Sequence, residues 1–292
     1  MKRKDFVKLL TLIPVAGVAM KLTDLEAMAA PMATTPLMPV IFFGHGSPMN
    51  AIEQNEFTLK WQELAKNIPR PNAILCISAH WETPGTFVTA MDKPQTIHDF
   101  GGFPQALFDV QYPAPGSSSL VADTKEVLKP VLIGDDLQWG LDHGCWSVLK
   151  HLYPAADVPV VQLSLDYRKN EQYHYDLAKQ LFELRKKGFL IVGSGNMVHN
   201  LGMLNWGNMN SAYDWAIEAN EKFKTIIQTK DHQALMNYKS LGTAFKNSIP
   251  TPEHFWPLLY ILALQDKKEE AQFFNDKTLM GSISMTGVMF KS

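Results

Sequence analysis

The chain has 292 residues, 46% of them hydrophobic and 19% charged, with a net charge of −2. That balance suits a globular protein with one large core or two small ones, and without a basic stripe a nucleic-acid partner has no electrostatic support. Two cysteines, Cys76 and Cys145, exclude a disulfide scaffold and a four-cysteine zinc cluster.

The first forty residues differ from the rest. Lys2, Arg3, Lys4 and Lys8 are basic, Leu9 to Met20 is an apolar run interrupted by Pro14 and Gly17, and Ala27, Ala29 and Ala30 suit a cleavage site. This is the order of a secretory signal peptide. Arg3-Lys4 resembles a twin-arginine signal with lysine for the second arginine, although Asp24 and Glu26 are unusual so near a cleavage site. Residues 1–37 are read as a signal-like extension, with export to the periplasm favoured over a cytoplasmic location. The apolar run is too short for a permanent anchor, so no stable membrane insertion is expected.

From Met38 onward strands and helices alternate. Strands are expected at 39–43, 73–78, 86–90, 158–164, 189–193 and 281–290, and helices at 55–68, 117–130, 170–187, 211–229 and 253–265. In 170–187, Tyr173, Leu177, Leu181 and Leu184 recur at three- and four-residue spacing, so one face is apolar. Gly188 stands where a helix-terminating glycine belongs. The alternation predicts an α/β fold, a single domain over 38–292 with a central mostly parallel sheet flanked by helices. Ligands of such sheets bind beyond the carboxyl ends of the strands. The loop 91–116, with four prolines and three glycines, is expected to form a lid or wall over that edge.

Histidines stand where these strands end. His45 follows Phe43-Gly44, His80 follows Ser78-Ala79, and His199 follows Gly193-Ser194-Gly195 after three intervening residues. His254 is expected at the start of a helix, with Thr251 as its N-cap. Any one of them is ordinarily a partly buried side chain bonded to backbone. Several imidazoles delivered to one sheet edge make a site for a divalent metal, because neutral imidazole is the commonest protein ligand of such ions. His143, in Asp142-His143-Gly144-Cys145, stands apart from these motifs. It is a candidate general acid or base, or else it caps a helix running to about Leu152. A Cys145–His143 nucleophile pair is a weaker reading, since no oxyanion-type glycine turn follows. His98, in the long loop, is either a turn residue beside Asp99 or a residue facing substrate. His151, His174 and His232 are read as surface or structural.

Seven motifs then stand in order: Gly44-His45-Gly46-Ser47-Pro48-Met49, Ser78-Ala79-His80-Trp81, Ile97-His98-Asp99-Phe100-Gly101-Gly102-Phe103-Pro104, Tyr112-Pro113-Ala114-Pro115-Gly116, Leu141-Asp142-His143-Gly144, Gly193 to Asn200, and Thr251-Pro252-Glu253-His254. Together they resemble the bacterial 4,5-DOPA-extradiol-dioxygenase-like proteins, class III extradiol ring-cleavage dioxygenases of the protocatechuate 4,5-dioxygenase superfamily. The resemblance covers residues 38–292. It implies one divalent metal held by His45, His80 and His254, with His199 at or beside it. The wider superfamily uses two histidines and a glutamate, so Glu253 keeps the third ligand open. The resemblance further implies Fe(II) for activity, with Zn(II) fitting the same histidines in an inactive form. The implied partners are a small DOPA-like catechol and dioxygen. His199 and His143 would move protons, and Asp142 is a candidate to orient His143. Trp81, Phe100 and Phe103 would wall the substrate or else belong to the core, and His98 would contact the substrate. Two other readings stand beside this one: a zinc hydrolase working through metal-activated water, and a non-enzymatic relative, against which five retained histidines argue.

Overall fold

Apolar β-branched and aromatic runs bury themselves most readily as strands covered on both faces. Six such runs form the central sheet of the computed structural model, which describes residues 37–291. The expected extension, 1–37, lies outside the described residues apart from Leu37. The strands are β1 (Val40–Gly44), β2 (Ala73–Ser78), β3 (Val160–Gln162), β4 (Phe189–Gly195), β5 (Ala271–Phe274) and β6 (Gly287–Phe290). Their order is β3-β2-β4-β1-β6-β5. The first four are parallel, β6 is antiparallel to β1, and β5 is antiparallel to β6. This is the mostly parallel α/β sheet expected, within one compact unit.

Alternation along each strand feeds two cores. Val40 and Phe42 join Leu75, Ile77 and Ile191 on one face, while Ile41 and Phe43 join Ile74, Cys76 and Val192 on the other. Each such side chain, fully buried, contributes roughly 1.5–3 kcal/mol. Five helices matter for the site: α1 (Glu56–Ala65), α2 (His143–Leu152), α3 (Glu171–Lys179), α4 (Asp214–Gln228) and α5 (Trp256–Ala263). Apolar faces of α3, α4 and α5 cover the first core, and those of α1 and α2 the second. α1 starts at a capping box in which the Asn55 side chain accepts from the Thr58 amide and Thr58 Oγ1 accepts from the Asn55 amide.

Three expected elements differ. The strand at 281–290 is broken: Ile283–Ser284 pairs with Thr278–Leu279, and only β6 joins the sheet. The helix at 170–187 divides into α3 and Phe182–Lys186, because Gln180 and Leu181 make tight bonds back to Leu177 and Ala178. The last helix begins at Trp256, not 253. The Phe255 and Trp256 amides both donate to Pro252 O, and Thr251 Oγ1 bonds Glu253 instead of capping. Among the described residues no helix is long and apolar enough to cross a membrane.

Candidate metal centre

Register sets the site. Gly44 lies opposite Gly195, and Ser78 opposite Ser194, so β1, β2 and β4 end level. The ladder continues past the strands: the His45 amide donates to Gly195 O at 3.1 Å, and the Ala79 amide to Ser194 O at 3.0 Å. His45 and His80 are therefore held side by side by backbone. His254 arrives by close approach. A Cβ at Gly195 would lie 2.2 Å from the His254 carbonyl oxygen, so only glycine admits it. The Asn196 amide donates to that same oxygen at 2.9 Å.

The rings converge. His45 Nε2 and His80 Nε2 are 3.2 Å apart. Two nitrogens bound at 2.0–2.1 Å to one tetrahedral metal are about 3.3 Å apart. Ring nitrogens of His45, His80 and His254 all lie within 4.8 Å of one another. The tautomers follow from what lies behind. Ser194 Oγ donates to Gly144 O at 2.6 Å, so at 3.0 Å it must accept from His45 Nδ1. His254 Nδ1 donates to Glu253 Oε1 at 3.0 Å. Both rings thus keep an Nε2 lone pair for a ligand, held by the outer hydrogen bonds typical of metal-ligating histidines.

Electrostatics agree. Burial, then the charges His80, His254, His143 and His199 would carry, hold the His45 imidazole well below its usual range. His80 is lowered to about 3 by burial and by His143, with Asp99 opposing. Burial, followed by His199 and His80, lowers His254, and burial lowers His199 to about 4 against the pull of Glu253. These imidazoles are neutral near pH 7, the state a metal requires. The donor set fits a divalent ion.

The other sequence candidates lie around this set. His199 is outside the group formed by His45, His80 and His254; it shares one with Glu253 and His254, and its ring stacks on His254 at 3.5 Å between centroids. His143 packs on His80 at 3.9 Å. Asp99 orients it, Oδ1 accepting from the His143 amide at 2.8 Å and Oδ2 from Nδ1 at 3.0 Å. Burial pushes the Asp99 carboxyl up, but the His143 contacts outweigh that and hold it below the usual range. Asp142, the residue considered for this job, is fully buried and turned elsewhere. It accepts from Ser78 Oγ, Gln162 Nε2 and the Cys145 amide, capping α2. Cys145 is buried, and burial raises its thiol well above the ordinary range, which removes the nucleophile reading.

A cavity of about 490 Å³ opens over the imidazoles, a size usual for small-molecule sites. Its floor holds His45, His80, His143, His199 and His254. Of the expected aromatic wall only Phe103 lines it. Trp81 is buried and stacked on Trp139, with ring centroids 5.9 Å apart. Phe100 packs behind Phe103 and against His143. His98 bonds Val110 O through Nε2 at 2.9 Å and sits among Phe100, Phe108 and Trp146, bracing the loop. The loop 91–116 therefore supplies Asp99 and Phe103. Much of the rest of the apolar wall comes from a segment the sequence reading passed over, with Leu201, Leu204, Trp206 and Met209, together with Met280, Ile283 and Met285. These residues have no periodicity, and only their apolar character inside a loop could have flagged them.

Residues 33–290 match the family described as the catalytic LigB subunit of aromatic ring-opening dioxygenase. The chain belongs to this family. It is 47% identical over 256 residues to the 4,5-DOPA dioxygenase extradiol of Escherichia coli K12, across 86% of this chain and 94% of the relative. It is 33% identical to the Beta vulgaris protein of the same name, across 86% and 96%. A solved structure of an uncharacterized Escherichia coli K12 protein superposes with a TM-score of 0.76 at 41% identity, covering 86% of this chain and 99% of that one. Family membership makes this an enzyme that opens aromatic rings with dioxygen at a divalent metal, and the hydrolase and non-enzymatic readings fall away.

Proposed function

We propose that the protein opens the ring of a DOPA-like catechol beside its diol, at one divalent metal held by His45, His80 and His254. The observation that carries this reading is the convergence of three neutral imidazoles at the floor of an apolar cavity. Bound there, ferrous iron supplies open coordination positions and the redox chemistry dioxygen needs, whereas zinc fits the same nitrogens but has none. The protein's own groups handle protons and water. His143, its Nδ1–H given to Asp99, keeps Nε2 free to take a catechol proton. His199, stacked on His254 and lining the same cavity, is the second proton-carrying group. Phe103, Leu204 and Ile283 exclude water from the reacting face. The substrate class rests on the Escherichia coli and Beta vulgaris relatives, which are named for 4,5-DOPA. Anaerobic ferrous loading followed by an oxygen-electrode screen of catechols tests the reading. Uptake of one dioxygen per catechol, with a coloured ring-opened product, supports it; no uptake with any catechol refutes it. We further propose that residues 1–37 direct export, which N-terminal sequencing of the protein recovered from a periplasmic fraction tests.

A further inference from the structure

The cavity is polar at its floor and asymmetric in charge at its mouth. No lysine or arginine lines it among the described residues. One carboxylate does line it: Glu53, exposed at the rim beside Asn55. Among the described residues no ion pair or hydrogen bond engages the Glu53 side chain. Lysines nearby are engaged elsewhere: Lys277, over the Phe57 ring, pairs with Glu56, and Lys150 donates to Ala51 O. The backbone under Glu53 is fixed, its amide donating to Met49 O and its carbonyl accepting from Thr58 Oγ1. Trp206, 71% exposed, lines the same cavity, as do Leu201 and Met209. A carboxylate and an open indole face at one mouth are the groups that recognise an organic ammonium. A carboxylate-bearing tail finds no cation there, and Glu53 repels it.

We propose that Glu53, with Trp206, selects catechols carrying an ammonium tail over those carrying only a carboxylate. The assignment rests on the ring-opening reading for the diol end alone. In DOPA, which bears both groups, the ammonium would face Glu53 and the carboxylate would turn to solvent.

The test uses three probes with one ring and different tails: dopamine, 4-methylcatechol and dihydrocaffeate. Dissociation constants are measured anaerobically by calorimetry on the metal-loaded full chain, and kcat/KM is measured in air. Wild type should prefer dopamine to dihydrocaffeate. Glu53→Gln should cut the dopamine to 4-methylcatechol ratio by roughly three- to tenfold, the size of a partly exposed ion pair assisted by an aromatic face. Glu53→Lys should invert the preference toward dihydrocaffeate. Ratios unmoved by either substitution, or a wild type that prefers dihydrocaffeate, would overturn the proposal. If the binding ratios shift as expected while no probe consumes dioxygen, the tail assignment stands and the ring-opening reading is the one that fails.

Discussion

The floor and the mouth of the cavity are built in opposite ways. At the floor His45 and His80 follow strand ends, and rings are held from behind by a partner: Ser194 for His45, Glu253 for His254, and Asp99 for the neighbouring His143. At the mouth, Leu201, Trp206 and Met209 are 61%, 71% and 52% exposed, on a segment outside the central sheet. A rigid floor suits chemistry that tolerates little misplacement. Side chains on connecting segments can change from relative to relative without disturbing the metal, which is where specificity is expected to reside. The difference teaches that reaction type and substrate choice are set by different parts of this fold.

Substitutions at the floor should therefore abolish or cripple turnover, and those at the mouth should alter substrate preference. The largest effect is expected for His45→Ala and His80→Ala. Elemental analysis should find the metal lost, and the oxygen electrode no ring opening; full occupancy in both variants would contradict the ligand assignment. Next, His143→Phe should keep its metal and bind catechol while kcat falls by about 10²–10⁴-fold, the usual worth of acid–base assistance. A fall of less than roughly tenfold would move that duty to His199 alone. Ser194→Ala removes the acceptor behind His45 together with its bond to Gly144 O, and competition with a chelator should show metal affinity weakened by about 10–100-fold.

Acid should act on the floor as well. His80 is lowered from 6.5 to about 3 and His199 to about 4. A histidine depressed in the fold takes up its proton only on unfolding, so its stabilising contribution is complete above about 6.5 and is lost as pH falls toward those values. Each such proton is worth about 1.4 kcal/mol per pH unit in that window. Thermal unfolding of the metal-free protein should show Tm dropping between pH 7 and pH 5, and less steeply in His80→Phe. The smallest effect is at the mouth: Trp206→Ala should raise KM by roughly three- to tenfold with little change in kcat, as loss of one aromatic contact does.

The same division explains what could be read without coordinates. The sheet was legible because runs such as Val40 to Phe43 and Ala73 to Ile77 are apolar, β-branched and bounded by polar loops. His45 and His80 were legible because each closes such a run beside small residues. Asp99 was not. It is 44 residues from His143, and nothing local distinguishes a carboxylate that orients an imidazole from one that caps a turn. Asp142 drew attention by adjacency, although a residue next to His143 along the chain points its side chain to a different neighbour, here Ser78 and Gln162. Trp81 and Phe103 read alike as aromatic wall, and only packing against Trp139 separates the first from the cavity. Glu53 and Trp206 lie 153 positions apart by number and line one cavity only once the sheet is assembled.

The central claim is that His45, His80 and His254 share one metal. Anomalous diffraction from crystals of the ferrous-loaded protein, collected on both sides of the iron edge, tests it most directly. The account predicts a single peak within bonding distance of the Nε2 atoms of those three residues, with Asp99 still hydrogen-bonded to His143. A peak held instead by Asp99 and His143, or by Glu253 with His199, would contradict it.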